Sequence, residues 1–263
     1  MASTYLDAIL SSHRTRAAAD DRDWRTRRVN ATGPSLELSI RGHRQRGNAV
    51  IAEIKRKSPS KGWLAEHLDV VAQAALYERA GASAISVLTD EPHFAGSVQD
   101  LQSARSASSL PILRKDFTVS LNDVLDTAEM GASAVLLIVA ALSDDELREF
   151  SKVARDIGLD ALVEVHDERE ADRALEAGAS MIGVNQRDLH SFAVDRERAE
   201  RVAGSLPSRV VAVAESGFSS VEAVASAALA GFDAVLVGES FVTSPSALET
   251  VSSYVGHPIG GRN

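Results

Sequence analysis

A glutamate and a lysine stand two residues apart at the end of an apolar run, in the segment VIAEIKRKSPSKG (Val50–Gly62). Alternate side chains of a β-strand share one face, so Glu53 and Lys55 are expected on the same face as Ile51. A carboxylate and an ammonium on the inner face of a buried strand are costly unless they pair or act on a ligand. The spacing therefore indicates either a structural ion pair or a reactive site.

Later apolar runs end in the same way, and this repetition favours a reactive site. The polar residues at their ends are Lys115 in PILRKDF, Glu164 and His166 in ALVEVHD, Asn185 and Arg187 in GVNQRD, Glu215, Ser216 and Gly217 in AESGF, and Gly238 and Glu239 in VGES. Two lysines and three glutamates that face one another are hard to explain as packing. His166 is weaker evidence, because a histidine beside Asp167 is more often a hydrogen-bonded neighbour of a site than a reacting group.

A recurring phrase shows how these ends are positioned. The segments ERAGASAISVL, AEMGASAVLLI, LEAGASMIGVN and ALAGFDAVLVG share a glycine, at positions 81, 131, 178 and 231. Each is typical of a helix end, a glycine in the left-handed conformation and then a buried strand. Four more apolar runs, 49–55, 111–115, 160–165 and 209–216, alternate with them, which makes eight strands in all.

Helical patterns separate these strands, and one of them, SDDELREFSKVARDIG, opens with Ser143 and Glu146 in the spacing of a capping box. Eight βα units of about 25 residues predict an α/β fold, a (β/α)₈ TIM barrel, whose active site lies at the carboxyl ends of the strands. An open doubly wound sheet is the alternative, although it does not explain the polar strand ends. Residues 1–48 are expected to form a helical extension packed on a barrel of residues 49–263, within a single domain.

Composition excludes several classes of function. The 263 residues carry a net charge of −9, which argues against a nucleic-acid partner. There is no cysteine, so disulfides, thiolate catalysis and cysteine-bound metals are excluded. We expect a cytoplasmic protein, since neither a signal peptide nor a membrane-spanning run is visible. No metal site is predicted, and the scattered histidines, including His13, are expected at the surface.

Two further features concern a ligand. The seventh and eighth strands end in small residues that expose backbone N–H groups, and in TIM barrels these two loops commonly bind phosphate. The loop after the second strand, LTDEPHFAGS, places Leu88 and Phe94 where they could line an apolar pocket, or where Phe94 could simply anchor the loop.

The motifs AEIKRKSPSKG, VLTDEPHFAGS, ILRKDF, LVEVHD, IGVNQRDL, AESGF and VLVGES, in this order between residues 49 and 243, closely resemble those of indole-3-glycerol phosphate synthase. The resemblance implies an enzyme of tryptophan biosynthesis. That family closes the pyrrole ring of 1-(2-carboxyphenylamino)-1-deoxyribulose 5-phosphate and releases CO₂ and water without a cofactor. The implied partner is this small phosphorylated substrate, and a monomer that contacts neither membrane nor nucleic acid is expected.

The resemblance also implies residue roles. Lys115 would be the general acid, Glu164 would handle later proton transfers, and Glu53 and Asn185 would orient the substrate. Further substrate contacts are implied for Lys55, Ser58, Lys61, Leu88, Phe94, Arg187, Glu215 and Ser216, and phosphate contacts for Gly217, Gly238 and Glu239. Glu239 could offer only its backbone, because its carboxylate would repel the phosphate.

The chain departs from the family pattern in TVSLNDV (Thr118–Val124) and at Gln186, where the family usually has asparagine. These departures leave room for altered affinity or for a paralogue in a specialised indole pathway. Two alternatives stay open. The first is another phosphosugar barrel, such as a phosphoribosylanthranilate isomerase-like enzyme, although that enzyme would need a cysteine as part of its acid–base pair and this chain has none. The second is a catalytically silent barrel, which would bind phosphate without turnover.

Overall fold

In the computed structural model, which describes residues 5–187 and 194–262, eight parallel strands form a closed barrel. The barrel strands are β1 (Ala49–Ile54), β4 (Ala84–Leu88), β5 (Ile112–Lys115), β6 (Ala134–Ile138), β7 (Asp160–Val165), β8 (Met181–Asn185), β9 (Val211–Glu215) and β10 (Ala234–Val237). Each strand pairs with its neighbours in chain order, and β10 closes the ring by pairing with β1. The predicted (β/α)₈ barrel is therefore confirmed, and closure excludes the open sheet.

Two short antiparallel strands, β2 (Lys57–Ser58) and β3 (Gly62–Trp63), form a hairpin in the loop after β1. The sequence gives no sign of this hairpin, because two-residue strands carry no hydrophobic periodicity. The hairpin gives the loop backbone hydrogen bonds of its own at the mouth of the barrel.

Helices surround the barrel and cover its amino-terminal end. They are α1 (Tyr5–Ala18), α2 (Leu36–His43), α3 (Val70–Arg79), α4 (Glu91–Phe94), α5 (Val98–Ala107), α6 (Leu121–Glu129), α7 (Asp144–Asp156), α8 (Glu168–Glu176), α9 (Arg196–Ser205), α10 (Val221–Leu229), α11 (Glu239–Val242) and α12 (Ala247–Tyr254). The predicted capping box is present, since Ser143 and Glu146 bond each other's backbone N–H groups at the start of α7. None of the described helices is long and apolar enough to cross a membrane.

The recurring glycines end α3, α6, α8 and α10, as the phrase predicts. Their φ angles lie between 82° and 98°, the left-handed region in which a Cβ atom would be strained. Each glycine turns the chain directly into the next barrel strand.

The barrel interior is apolar toward its base and polar toward its mouth. Ile51, Leu113 and Leu162 are fully buried inside the barrel. From the amino-terminal side, α2 adds Leu36 and Ile40, which are also fully buried, whereas Leu38 between them is 70% exposed. Helix α2 of the amino-terminal extension therefore closes the base of the barrel.

Candidate active site

A cavity of about 360 Å³ opens at the carboxyl ends of the barrel strands, a size typical of small-molecule sites. Every site residue predicted from the sequence lines it: Glu53, Lys55, Ser58, Lys61, Leu88, Phe94, Lys115, Glu164, Asn185, Arg187, Glu215, Ser216, Gly217, Gly238 and Glu239. Barrel closure brings these residues together, because they lie at the same end of seven different strands or in the loops that follow them.

A buried ammonium group lies at the centre of the polar ring. Lys115 Nζ is 2.9 Å from Glu164 Oε2 and 3.2 Å from Glu215 Oε2. The Asn185 amide donates a 3.1 Å hydrogen bond to the other oxygen of Glu164. These contacts fix the direction of the Glu164 carboxylate and leave one oxygen of Glu215, Oε1, buried without a hydrogen-bond partner among the described residues.

The burial of three charged groups in one place shifts their pKa values. Burial alone would lower the pKa of Lys115, but the carboxylates of Glu164 and Glu215 outweigh it and raise that pKa above its ordinary value. Burial would raise the pKa of Glu164, but Lys115 lowers it to about 2. Burial and the charge of Glu164 raise the pKa of Glu215 to about 7, against the attraction of Lys115. Near neutral pH, Lys115 is therefore protonated, Glu164 is ionised and Glu215 is close to the midpoint of its titration.

Glu53 and Lys55 form an ion pair of 2.5 Å, and both line the cavity. The Tyr77 hydroxyl donates a 3.0 Å hydrogen bond to the backbone carbonyl of Glu53 and so fixes the end of β1. The pair is buried at the Glu53 end, whose side chain is 5% exposed, and reaches toward solvent at Lys55. The ion pair, one of the two alternatives that the sequence offers, is therefore present, and it lies in the lining of the cavity.

Two glycines make room for the carboxylates. A Cβ atom on Gly183 would lie 2.0 Å from Glu215 Oε1, and one on Gly238 would lie 2.4 Å from Glu53 Oε1. Gly238 was predicted only as a phosphate contact, and Gly183 was not predicted at all. The signal for Gly183 was its place inside a buried strand, where glycine commonly marks the close approach of another group.

The loops after β9 and β10 lie side by side at the mouth of the cavity, because these two strands are neighbours in the barrel. Ser216 and Gly217 are consecutive residues with φ angles of 70° and 76°. The short helix α11 begins at Glu239, and the Ser240 hydroxyl donates a hydrogen bond to the Phe218 carbonyl, which joins the two loops. Lys61 from the hairpin loop forms an ion pair with Glu239.

Most of the remaining lining of the cavity is apolar. Besides the predicted Leu88 and Phe94, it contains Phe117, Leu136 and Ile138, and Leu6 and Ile9 from α1. The rings of Phe94 and Phe117 have centroids 6.5 Å apart. The contribution of α1 was missed, because a sequence pattern shows that a helix has an apolar face but not where that face packs.

The family comparison agrees with this geometry. A profile of the family described as indole-3-glycerol phosphate synthase matches residues 8–253. The chain belongs to this family. The predicted resemblance is confirmed, and the match extends into the amino-terminal segment, beyond the range in which the motifs alone were recognisable.

Curated relatives carry the same family name. The indole-3-glycerol phosphate synthase of Mycobacteroides abscessus is 47% identical over 244 residues, which cover 92% of this chain and 90% of that protein. The one from Streptomyces griseus is 45% identical over 254 residues, covering 95% and 93%. Indole-3-glycerol phosphate synthases are carboxy-lyases of tryptophan biosynthesis, and the predicted enzyme class is confirmed.

Solved structures support the fold only. A thiamine phosphate pyrophosphorylase from Pyrococcus furiosus superposes with a TM-score of 0.59 at 14% identity, covering 80% of this chain and 95% of that one. An N-acetylmannosamine-6-phosphate 2-epimerase from Clostridium perfringens gives a TM-score of 0.61 at 14% identity, covering 85% and 97%.

The departures from the indole-3-glycerol phosphate synthase pattern lie outside the cavity lining. In the segment 118–124, Ser120 caps α6, and Asn122 bonds the guanidinium of Arg27 and the backbone carbonyl of Arg22. Gln186 is buried, and its backbone bridges Glu215 and Asp195. These residues therefore support neighbouring elements and do not themselves line the cavity.

Two expectations about histidine are corrected or refined. His13 is 3% exposed, so its expected surface position is wrong: its Nε2 atom lies 2.8 Å from Asp90 Oδ2, and Asp116 lies 3.9 Å away. This contact ties α1 to the barrel beside the cavity. His166 is hydrogen-bonded, as expected of a neighbour of the site, but its partner is Glu170, whereas Asp167 caps α8.

Proposed function

We propose that this cavity carries out the indole-3-glycerol phosphate synthase reaction on 1-(2-carboxyphenylamino)-1-deoxyribulose 5-phosphate, with the residue roles given below. The observation that carries the proposal is the position of Lys115 Nζ, buried between Glu164 and Glu215 at the floor of a cavity with one polar and one apolar side. Ring closure needs a group that is protonated before the reaction and lies within reach of the substrate carbonyl.

Lys115 is the general acid of this mechanism. It is protonated at neutral pH, so it is the group available to donate a proton to the ribulose carbonyl oxygen as the aryl carbon attacks. Glu164 then handles the proton transfers of dehydration, and Asn185 holds its carboxylate in place. Glu53, fixed at the end of β1, orients the substrate hydroxyls.

The rest of the cavity binds the two ends of the substrate. Leu88 and Phe94 hold the anthranilate ring, and Lys55 faces its carboxylate until CO₂ leaves. Ser216, Gly217, Gly238 and the backbone of Glu239 surround the phosphate, where small residues expose N–H groups. Ser58 and Lys61, on the hairpin loop, close over the bound substrate, and Arg187 and Glu215 complete the polar ring.

The decisive experiment is a fluorescence assay for indole product in the presence of EDTA, because the proposed mechanism needs no metal or cofactor. Lys115→Met should lower kcat by about three orders of magnitude or more, since it removes the general acid and a positioning charge together. Lys152→Met, on the exposed face of α7, is the matched control. Retention of more than about a tenth of the activity by Lys115→Met would remove Lys115 from this role.

Glu164→Gln provides an independent test of the second role. The amide keeps the size of the side chain and a contact to Asn185 but cannot carry the proton. We expect a large fall in kcat and a changed pH–rate profile, and an unchanged profile would contradict the assignment. Tight phosphate-dependent binding without turnover by the wild-type protein would instead support a silent barrel.

The wider setting of the enzyme follows the sequence predictions. We propose a cytoplasmic monomer that acts on a small phosphorylated substrate, in which residues 1–48 form an extension of the barrel of residues 49–263. Size-exclusion chromatography with light scattering tests the monomer, since a dimer would double the mass of the 27.9 kDa chain.

A further inference from the structure

A histidine lies between the reactive carboxylate and the outer surface of the barrel. His166 Nε2 is 3.8 Å from Glu164 Oε1, and His166 Nδ1 is 3.1 Å from Glu170 Oε2. The backbone N–H of His166 donates a 2.8 Å hydrogen bond to that same Glu170 oxygen. Glu164, His166 and Glu170 thus form a row that runs from β7 to the first turn of α8.

The row leads from the cavity to solvent. The side chains of Glu164, His166 and Glu170 are 2%, 13% and 18% exposed. Only Glu164 lines the cavity, so the other two lie behind it. The Nε2 atom of His166 is buried without a hydrogen-bond partner among the described residues, and Glu164 Oε1 lies 3.8 Å from it.

The proposed reaction, on which this inference rests, needs a supply of protons. Ring closure adds one proton to the carbonyl oxygen, and dehydration adds one to the leaving hydroxyl. One proton is recovered from the carbon beside the nitrogen. Because the substrate carboxylate leaves as neutral CO₂, one proton per turnover must enter from solvent. A route through the barrel wall could supply it even while the proposed closure of the hairpin loop covers the mouth of the cavity.

We propose that His166 relays this proton from solvent to Glu164. Once Lys115 has given its proton to the substrate, the charge that keeps the pKa of Glu164 low is gone. The imidazolium then gives its Nε2 proton to Glu164 Oε1: the N–H bond breaks and an O–H bond forms. A movement of about 1 Å brings the two atoms within hydrogen-bond reach. Rotation of the neutral ring then turns the bare nitrogen toward Glu170 and solvent, where it takes a proton from a dissolved acid. His166 acts through Glu164 and does not touch the substrate.

The charges around His166 support this role. Burial alone would lower its pKa, but the hydrogen bond to Glu170 and the charges of Glu164 and Glu215 outweigh burial and raise that pKa above its ordinary value. The imidazole is therefore protonated over more of the neutral range than a free histidine. Glu170 holds the outer nitrogen and draws protons from solvent toward it.

The test uses His166→Asn and Glu170→Gln in the full chain. We expect kcat to fall about tenfold in each, with KM unchanged within about twofold, since neither residue contacts the substrate. For His166→Asn, kcat should rise with the concentration of imidazole buffer at fixed pH and ionic strength, because the dissolved acid replaces the relay. Glu168→Gln, on the same helix as Glu170 but with its carboxylate paired to Arg201 of α9, is the matched control and should behave as the wild type in both respects.

Two results would overturn the relay. One is wild-type kcat in both variants. The other is a lowered kcat in His166→Asn that does not change with the concentration of imidazole buffer. That result would indicate a structural role for His166, and thermal unfolding of the same sample would then show a loss of stability. An inactive wild-type protein would instead remove the proposed function itself, so the two failures are distinguishable.

Discussion

Lys115 Nζ lies 3.2 Å from Glu215 Oε2, which places a fixed cation beside a carboxyl group whose pKa is close to neutral. The two residues come from strands on opposite sides of the barrel, β5 and β9, and meet only because the barrel is closed. Burial raises the pKa of Glu215 against the attraction of Lys115, and this makes the stability of the protein depend on pH.

Glu215→Gln should change that dependence in a defined direction. Burial raises the pKa of Glu215 from 4.5 to about 7, so between these values the folded state binds more protons than the unfolded state. Stability contributed by the protonated carboxyl is therefore present below about pH 4.5 and lost as the pH rises through 7. Relative to wild type, Glu215→Gln should gain about 2–3 kcal/mol in free energy of unfolding between pH 5 and pH 8.

Urea unfolding at these two pH values measures that gain. Glu197→Gln, an exposed position on α9, is the control and should show no comparable change. A difference between Glu215→Gln and wild type that is equal at both pH values would contradict the raised pKa. The pKa of Glu164 is lowered to about 2, so Glu164 titrates below this pH range and does not contribute to the difference in unfolding free energy.

Glu239→Gln should improve substrate binding. The Glu239 carboxylate holds Lys61 and lies in the loop proposed to bind phosphate, so removing its charge frees the lysine and removes a repulsion. Both side chains are well exposed, which limits the effect to a fall in KM of about two- to threefold at low salt. The fall should disappear at about 1 M salt, where screening is strong. Glu249→Gln, exposed on α12, is the control, and a KM that rises in Glu239→Gln would show that the carboxylate helps binding.

Gly183→Ala should destabilise the protein by about 1–3 kcal/mol, because the added methyl group overlaps Glu215 Oε1. The cost should shrink in a Glu215→Ala background, where the overlapping atom is absent. Gly204→Ala is the matched control, since nothing lies within 4 Å of its Cβ position in α9, and it should stabilise by about 0.5–1 kcal/mol. If Gly183→Ala lowers the free energy of unfolding equally in the wild-type and Glu215→Ala backgrounds, the added methyl group overlaps a residue other than Glu215.

Ile9→Ala should affect both stability and binding. Ile9 is 2% exposed and lines the cavity, so its truncation leaves a void and removes part of the apolar wall. We expect a loss of about 2–4 kcal/mol in free energy of unfolding and a KM raised several-fold. Leu38→Ala, at a side chain that is 70% exposed on α2, should change stability by less than about 0.5 kcal/mol. An unchanged KM would show that α1 closes the cavity without contacting the substrate.

The polar strand ends were predictable because strand periodicity and barrel geometry act together. The period of two places Glu53, Lys115 and Glu164 on inward faces, and parallel strands bring their carboxyl ends to one side. The recurring glycine segments marked where four of the eight strands begin, and apolar runs marked the other four. These signals are local, and they were sufficient for eight strands and for all the predicted lining residues.

The missed features depend on contacts between distant parts of the chain. His13 bonds Asp90 across 77 residues, and Leu6 and Ile9 reach the cavity from the first helix. Local patterns show that α1 has an apolar face but not which surface it covers. The hydrogen bonds of Asn122 with Arg22 and Arg27 are likewise not predictable from the sequence, because they join two segments that are far apart in the chain.

Each of the two glycines, Gly183 and Gly238, lies against a glutamate of the adjacent strand, so the residue types allowed at one position depend on the residue at the other. A side chain can enter position 183 or 238 only after Glu215 or Glu53 has become shorter, because the space is already filled. Within a broad set of homologous barrels, glycine and glutamate at each pair should therefore be lost together and in a fixed order. In a homologous barrel that has lost this activity, we therefore expect the glutamate to be substituted first and the glycine only later.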